Sequence, residues 1–390
     1  MAQNPPTLGR LHELDSLRGF MALWVYLTHV MFILGIGTSG IAGLISNGSM
    51  AVSVFMILSG FAIASSLLAS QASYGQYMAR RFFRIYPIYL VGLLLGLMTS
   101  WYYPELLQSL GWADPADISR IRLRTEGEAA AFWPHLLGHL TLMHGAVPDA
   151  WLYGSGLSFN GPAWSLSLEM QFYLVAPLLL VLLREPAKWP IAFCALFLLA
   201  LVGRGVFKPW FPQVPSFLPI SLLHFLFGML SALYLPKLAG KPPLLLGLGA
   251  LLILFAARGG QILFALPVAI WVMVILICTL EGWPFVTRLR GFLAWRPFVA
   301  MGECSYGFYI LHLPIIIAWA GLLVRLGMAD NRPAFAVGLL ATLPATLALS
   351  HLSYRYFEAP INAWAKTRFG RKRRLSEPQM PTDVRALEGI

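Results

Sequence analysis

A chain of 390 residues that is 58% hydrophobic and only 12% charged, with a mean hydropathy of +0.69, has too few polar side chains to cover a water-soluble fold. This excludes a soluble multidomain protein and predicts an all-α polytopic membrane protein. The net charge of +11, from 28 Lys plus Arg against 17 Asp plus Glu, reports membrane orientation rather than nucleic-acid binding. Cys194, Cys278 and Cys304 stand in or beside apolar runs and imply neither a disulfide framework nor a thiolate metal site.

A span needs about 20 mostly apolar residues. The hydropathy pattern predicts about ten transmembrane helices, at 17–36, 49–70, 85–103, 164–183, 189–206, 217–236, 243–257, 262–280, 298–324 and 333–353. The first lacks a basic region directly before a short apolar core and a small-residue cleavage site, so it is a retained helix rather than a signal peptide. With the amino terminus inside, the inner segments hold Arg10, Arg18, Arg80, Arg81, Arg84, Arg184, Lys188, Lys237, Lys241, Arg288, Arg290 and Arg296. The tail adds Arg355, Lys366, Arg368, Arg371, Lys372, Arg373, Arg374 and Arg385, which brings the inner total to 20 of the 28 basic residues. This asymmetry predicts both termini in the cytoplasm and an even number of crossings.

The stretch 104–163 then lies outside. Within it, Ala131–Val147 is too short for a span and suits an interfacial or re-entrant helix. It carries His135, His139 and His144. The first two are spaced i, i+4 as metal ligands can be, but no acidic or cysteine partner stands at a metal-site spacing. No metal is expected, and the histidines are expected to face a polar cavity or lipid headgroups. Residues 1–365 read as one membrane domain, and 366–390 as a basic, disordered cytoplasmic tail. There is no internal repeat and no pair of broken helices at matching positions in two halves.

Ionisable groups inside spans are costly and are functional candidates by default. In the first helix Asp15, Arg18, Ala22, Val25 and His29 follow steps of three and four and share a face. Arg18 and His29 are separated by about 17 Å along the axis, which puts one at the inner boundary and the other in the outer half. The fourth span begins Asn160-Gly-Pro-Ala-Trp164-Ser165 and carries Ser165, Glu169 and Tyr173 at i, i+4 spacing. Counted inward from their outer helix ends, Glu169 at about 8 Å and His29 at about 10 Å fall in one layer. The bland alternative for each is an interhelical hydrogen bond of structural value. Span nine carries Cys304, then Ser305, Tyr309 and His312 on one face, with Pro314 expected to kink it. Between spans two and three, Arg81 and Arg84 are three apart. They are either a pair of guanidinium forks for phosphate or juxtamembrane anchors.

These residues together carry a resemblance. Leu14-Asp15-x-x-Arg18-Gly19 with His29, Phe55–Gly60, and Arg81-x-x-Arg84-Ile-Tyr86-Pro87 appear in order. They are followed by Asn160-Gly-Pro-Ala-Trp164-Ser165-x-x-x-Glu169-x-Gln-Phe172-Tyr173, by Ser305-Tyr306-x-x-Tyr309-x-x-His312-x-Pro314, and by Tyr354-x-x-x-Glu358-x-Pro360. The chain resembles the acyltransferase-3 family of integral membrane O-acyltransferases along nearly its whole length. It departs at Met170, where many members carry a second acid beside the Glu169 equivalent. No hydrolase-like domain is expected after the tenth span.

The resemblance implies transfer of an acyl group, by family frequency acetyl, from cytoplasmic acyl-CoA to a hydroxyl of an extracytoplasmic glycan or glycolipid. Acyl-CoA is a donor substrate, no permanently bound cofactor is implied, and the setting is the lipid bilayer of a bacterial inner membrane. His29 is implied as the catalytic histidine and general base, with Glu169 orienting it or stabilising its imidazolium. Arg18, Arg81, Arg84 and Tyr86 are implied on the donor side. Asn160, Trp164, Ser165, Tyr173, Tyr309 and His312 are candidates for acceptor binding or oxyanion stabilisation. His29 and Glu169 are expected to converge on one cavity, with a passage past Ala22 and Val25 down to the arginines. The alternative reading is a proton-coupled transporter or flippase of a lipid-linked saccharide, with His29 and Glu169 as its relay.

Overall fold

The computed structural model describes residues 11–37, 39–70, 72–185, 189–238, 244, 246–247, 249–250, 254, 262–280 and 282–370. Among them there is no β-strand. The first half of the chain forms α1 (His12–Ile33), α2 (Gly40–Ile45), α3 (Gly48–Leu68), α4 (Tyr74–Thr99), α5 (Tyr103–Gln108), α6 (Pro115–Ala130) and α7 (Phe132–Leu140). The second half forms α8 (Trp164–Arg184), α9 (Trp189–Phe207), α10 (Leu218–Leu238), α11 (Ile262–Thr279), α12 (Pro284–Leu293), α13 (Arg296–Glu303), α14 (Ser305–Arg325), α15 (Arg332–Leu340), α16 (Thr342–Ser353) and α17 (Ala359–Phe369). Among the described residues eight helical stretches are long and apolar enough to cross a membrane, or nine if α11 and α12, bent by 110°, are one span. The expected span 243–257 falls mostly outside the described residues, as do Arg10, Lys188, Lys241 and the tail from residue 371. This is an all-α polytopic membrane protein.

Two expected boundaries move. α4 starts at Tyr74 rather than 85 because Ser73 caps it: Ser73 Oγ accepts from Gln76 N, and Gln76 Oε1 accepts from Ser73 N at 3.0 Å. Arg81 and Arg84 therefore lie inside a helix, not in a connection. The expected span 298–324 is two helices joined at Cys304, where Ser305 Oγ donates to Gly302 O at 2.7 Å. Cys304 is a junction residue. Pro314 does not end α14, which runs on to Arg325.

Close helix crossings rest on missing side chains. A Cβ on Gly228 would meet Ile57 O at 1.9 Å, and one on Gly60 would meet Phe225 O at 2.2 Å, so α3 and α10 touch backbone to backbone. Any larger residue there would drive α3, which carries Ser59, and α10 apart.

The segment before α8 is packed inward. His135, His139 and His144 are buried, contrary to the expected cavity or headgroup exposure. His139 and His144 stack with ring centroids 3.8 Å apart. Ser158 Oγ donates to Ser155 O, so His139 Nε2–H donates to Ser158 (2.9 Å) and Nδ1 faces the Tyr89 hydroxyl (2.8 Å). A stacked imidazole pair this close is stable only when uncharged. Burial pushes His135 down to about 4 and His144 down to about 3, and His139 well below its ordinary value. The unfolded chain takes up protons near pH 6.5 and the folded chain does not, so stability is lost as pH falls from about 6.5 towards 4. Each histidine contributes a slope of up to about 1.4 kcal/mol per pH unit. Melting temperatures in detergent between pH 7 and 5 are expected to fall, and a flat profile would refute this packing.

Candidate active site

The face of α1 that carries Arg18 at one end and His29 at the other borders two separate chambers. The first, about 230 Å³, is lined by Arg18, by Val52, Phe55, Ser59 and Ala62 of α3, by Arg81 and Arg84 of α4, and by Ser165, Glu169 and Tyr173 of α8. Its remaining wall includes Ser305, Tyr306 and Tyr309 of α14. Arg18 is paired with Asp15 at 2.9 Å. Arg81 donates to Ser66 Oγ at 2.7 Å, and its guanidinium lies 5.6 Å from the Tyr77 ring centroid and 5.8 Å from that of Tyr173. Held between two aromatic faces, Arg81 is oriented before any ligand arrives. Glu169 accepts from Ser59 Oγ at 2.9 Å and from Tyr173 at 2.5 Å. Three guanidiniums against the two acids of the wall, Glu169 and Glu303, leave a one-charge positive excess, which suits an anionic ligand.

The second chamber, about 470 Å³, has His29 in its wall with Thr28, Phe32, Asn47, Tyr103, Arg120, Arg124, Trp164 and Gln213. The two chambers have Val52 and Tyr309 in common. Tyr309 donates to Pro162 O at 3.0 Å, accepts from Ser165 at 2.9 Å, and packs edge to face on Phe55 at 5.7 Å. The wall that the two chambers share is therefore held by fixed contacts rather than by a loose side chain.

Several expected placements are corrected. Glu169 and His29 do not share a cavity. Trp164 lines the His29 chamber, whereas Glu169, about 8 Å further along α8, lines the arginine chamber. The neighbour of His29 is His312, with ring centroids 5.1 Å apart. His312 is fully buried and lines neither chamber. Ala22 does not line the passage; it sits on the flank of the α1 face, in an apolar cluster with Tyr26 and Phe308. Val25 does line the His29 chamber. Tyr86 points away from the arginines, stacks on Phe82 and donates to Leu140 O at 2.8 Å. Asn160 is a clamp: its Nδ2 donates to Gly92 O (3.1 Å) and Ile310 O (3.0 Å), tying α4, α14 and the approach to α8 together. With both amide hydrogens used on backbone carbonyls, it has no donor for an oxyanion. Ser165, Tyr173 and Tyr309 do line the arginine chamber, and Trp164 the other.

Ser59 was within reach of the sequence, since Val52, Phe55, Ser59 and Ala62 follow steps of three, four and three on one helix face. Arg120, Arg124 and Gln213 were not, because they reach the chamber from connecting segments whose docking no periodicity encodes. Among the described residues no cluster of His, Cys, Asp and Glu is arranged to hold a metal ion.

The fold and the two chambers define a multi-pass membrane protein with an arginine-lined and a histidine-lined compartment set end to end. The chain belongs to the acyltransferase-3 family: the family's profile, described as an acyltransferase domain, matches residues 11–351. Acyltransferase MdmB of Streptomyces mycarofaciens is 28% identical over 377 residues, covering 88% of this chain and 89% of that protein. Peptidoglycan O-acetyltransferase OatA of Listeria monocytogenes is 24% identical over 390 residues, and O-acetyltransferase OatA of Staphylococcus aureus 23% over 387. This chain spans 55% and 57% of those two longer proteins. No solved structure matches the chain.

Proposed function

We propose that this protein is an O-acyltransferase of a bacterial inner membrane that takes an acyl group, most simply acetyl, from cytoplasmic acyl-CoA. The acceptor is a hydroxyl of an extracytoplasmic glycan or glycolipid. The observation that carries the reading is the pair of chambers meeting at Val52 and Tyr309. Donor phosphates bind at Arg18, Arg81 and Arg84, where bidentate forks match phosphate oxygens. The extended pantetheine arm then spans the roughly 17 Å that separates Arg18 from His29 along α1, so the nucleotide stays on its own side.

At the neck the acceptor hydroxyl attacks the thioester carbonyl while His29 takes its proton. The tetrahedral intermediate collapses with cleavage of the C–S bond, the new ester leaves on the acceptor, and the proton passes from His29 to the departing CoA thiolate. Glu169 holds Tyr173 and Ser59 in the donor chamber rather than acting on His29. The names of the relatives, an acyltransferase and two O-acetyltransferases, support the reaction class. That His29 and Glu169 line different chambers counts against a direct proton relay between them, and so against the transporter alternative.

Purified protein incubated with radiolabelled acetyl-CoA is expected to release CoA, and cell-surface glycan is expected to lose base-labile esters when the gene is removed. Proton-coupled solute uptake in liposomes without thioester turnover would overturn the reading. Replacing Arg81 and Arg84 with alanine should raise the donor KM far more than the acceptor KM. Lysine should restore binding only in part, because a point charge does not reproduce the fork. An unchanged donor KM would reduce the pair to topological anchors.

A further inference from the structure

The wall of the chamber around His29 presents two arginines. α6 turns Arg120 and Arg124, one helical turn apart, into its wall. Their acidic partners stand outside it: Asp117, one turn before, contacts Arg120, and Glu128, one turn after, lies 3.4 Å from Arg124 Nε. Among the described residues that line the chamber, none is Asp or Glu. Arg124 is held in place from two sides. Glu128 is buried, and the stem of Arg124 lies on Gly154, a residue at φ +69° where an added Cβ would come within 2.8 Å of Arg124 Cγ. The rest of the wall offers groups that suit a saccharide, with Trp164 and Tyr103 as faces and Asn47, Ser49 and Gln213 as hydrogen-bonding partners.

We infer that the acceptor carries an oxyanion, a carboxylate or a phosphate, which Arg124 and Arg120 grip while its hydroxyl lies at His29. The inference rests on reading this chamber as the acceptor site. Each ion pair engages one nitrogen of its guanidinium and keeps its carboxylate out of the chamber, so the nearly buried Arg124, with the more exposed Arg120 beside it, has donors left that a bidentate anion matches better than a neutral sugar. A fork-to-anion contact also fixes the acceptor's orientation, which a hydroxyl competing with its neighbours for one base requires. An acidic sugar and a polyprenyl-phosphate-linked sugar offer the same chemistry from different ends of the acceptor.

The test uses the full-length protein in nanodiscs with radiolabelled acetyl-CoA and three acceptors: a neutral oligosaccharide, its uronic-acid counterpart, and the neutral oligosaccharide on a polyprenyl diphosphate. At least one anionic acceptor is expected to have a KM about tenfold or more below that of the neutral one, the scale of a hydrogen bond to a charged group. Which of the two does so identifies the source of the charge. Arg120→Gln, at an exposed position, and Arg124→Gln combined with Glu128→Gln, which leaves no unpaired buried carboxylate, should erase that preference by raising the KM for the anionic acceptor to that of the neutral one. Arg124→Lys should restore part of it. Equal use of neutral and anionic acceptors, or a preference that survives both variants, overturns the anion site alone. Absence of any acetyl-CoA turnover by the wild type would instead mean that the transferase reading has failed, and the anion site with it.

Discussion

His29→Ala is expected to abolish acyl transfer while leaving the protein inserted and folded. His29 lies in a chamber wall at the end of α1, not among the close-packed residues that hold the bundle, so its loss removes chemistry before stability. Removing a positioned general base typically costs about 10²–10⁴-fold in rate. Correctly inserted mutant that keeps more than about a tenth of wild-type transfer would dismiss the base role. His312→Gln separates the neighbours: His312 contacts the His29 ring from a fully buried position, so its replacement should lower kcat less than loss of His29 and leave donor KM unchanged. Equal losses from both would make the two imidazoles one catalytic unit.

Val52→Trp is expected to stop transfer without touching any ionisable group. Val52 borders both chambers, as does Tyr309, and that tyrosine cannot swing aside without giving up its bonds to Pro162 and Ser165. An indole at this point fills the neck that the thioester must enter. Acyl-CoA should still bind at the arginines, since the block lies beyond them, so the signature is normal donor affinity with transfer reduced a hundredfold or more, the loss that misplacing the reacting atoms produces. Val52→Gly should act in the opposite sense and admit branched or longer acyl groups. Transfer that survives Val52→Trp would mean that the two chambers do not communicate at this neck. Ala22, although on the same helix as His29, is the wrong place for such a block: it lines neither chamber, so a tryptophan there has no cavity to fill and would overpack the cluster around Tyr26 and Phe308.

Much of the site could be read from residue order because it sits on helices whose periodicity is regular. Arg18, Val25 and His29 on α1 and Ser165, Glu169 and Tyr173 on α8 do line chambers on common faces, as steps of three and four require. Depth was harder to read. Counting 1.5 Å per residue from two helix ends places residues in one layer only if the ends themselves are level, and here it is Trp164, at the start of α8, that lines the His29 chamber. The same rigid rise that correctly aligned Glu169 with Tyr173 thus carried it into the wrong chamber.

By itself the sequence determined the membrane-spanning helical class, through apolar runs of span length and scarce charge, and it determined the motif order that ties the chain to its family. It also determined which side chains share a helix face, because a helix has one period. Only the tertiary structure decided that Glu169 belongs with the arginines, that Asn160 clamps backbone, that Tyr86 turns to α7, and that Arg124 enters the His29 chamber from a connecting segment. Those choices depend on where separate elements meet, and in a bilayer that is settled by local fit, such as the glycine contacts of α3 with α10, rather than by a hydrophobic pattern that every helix shares.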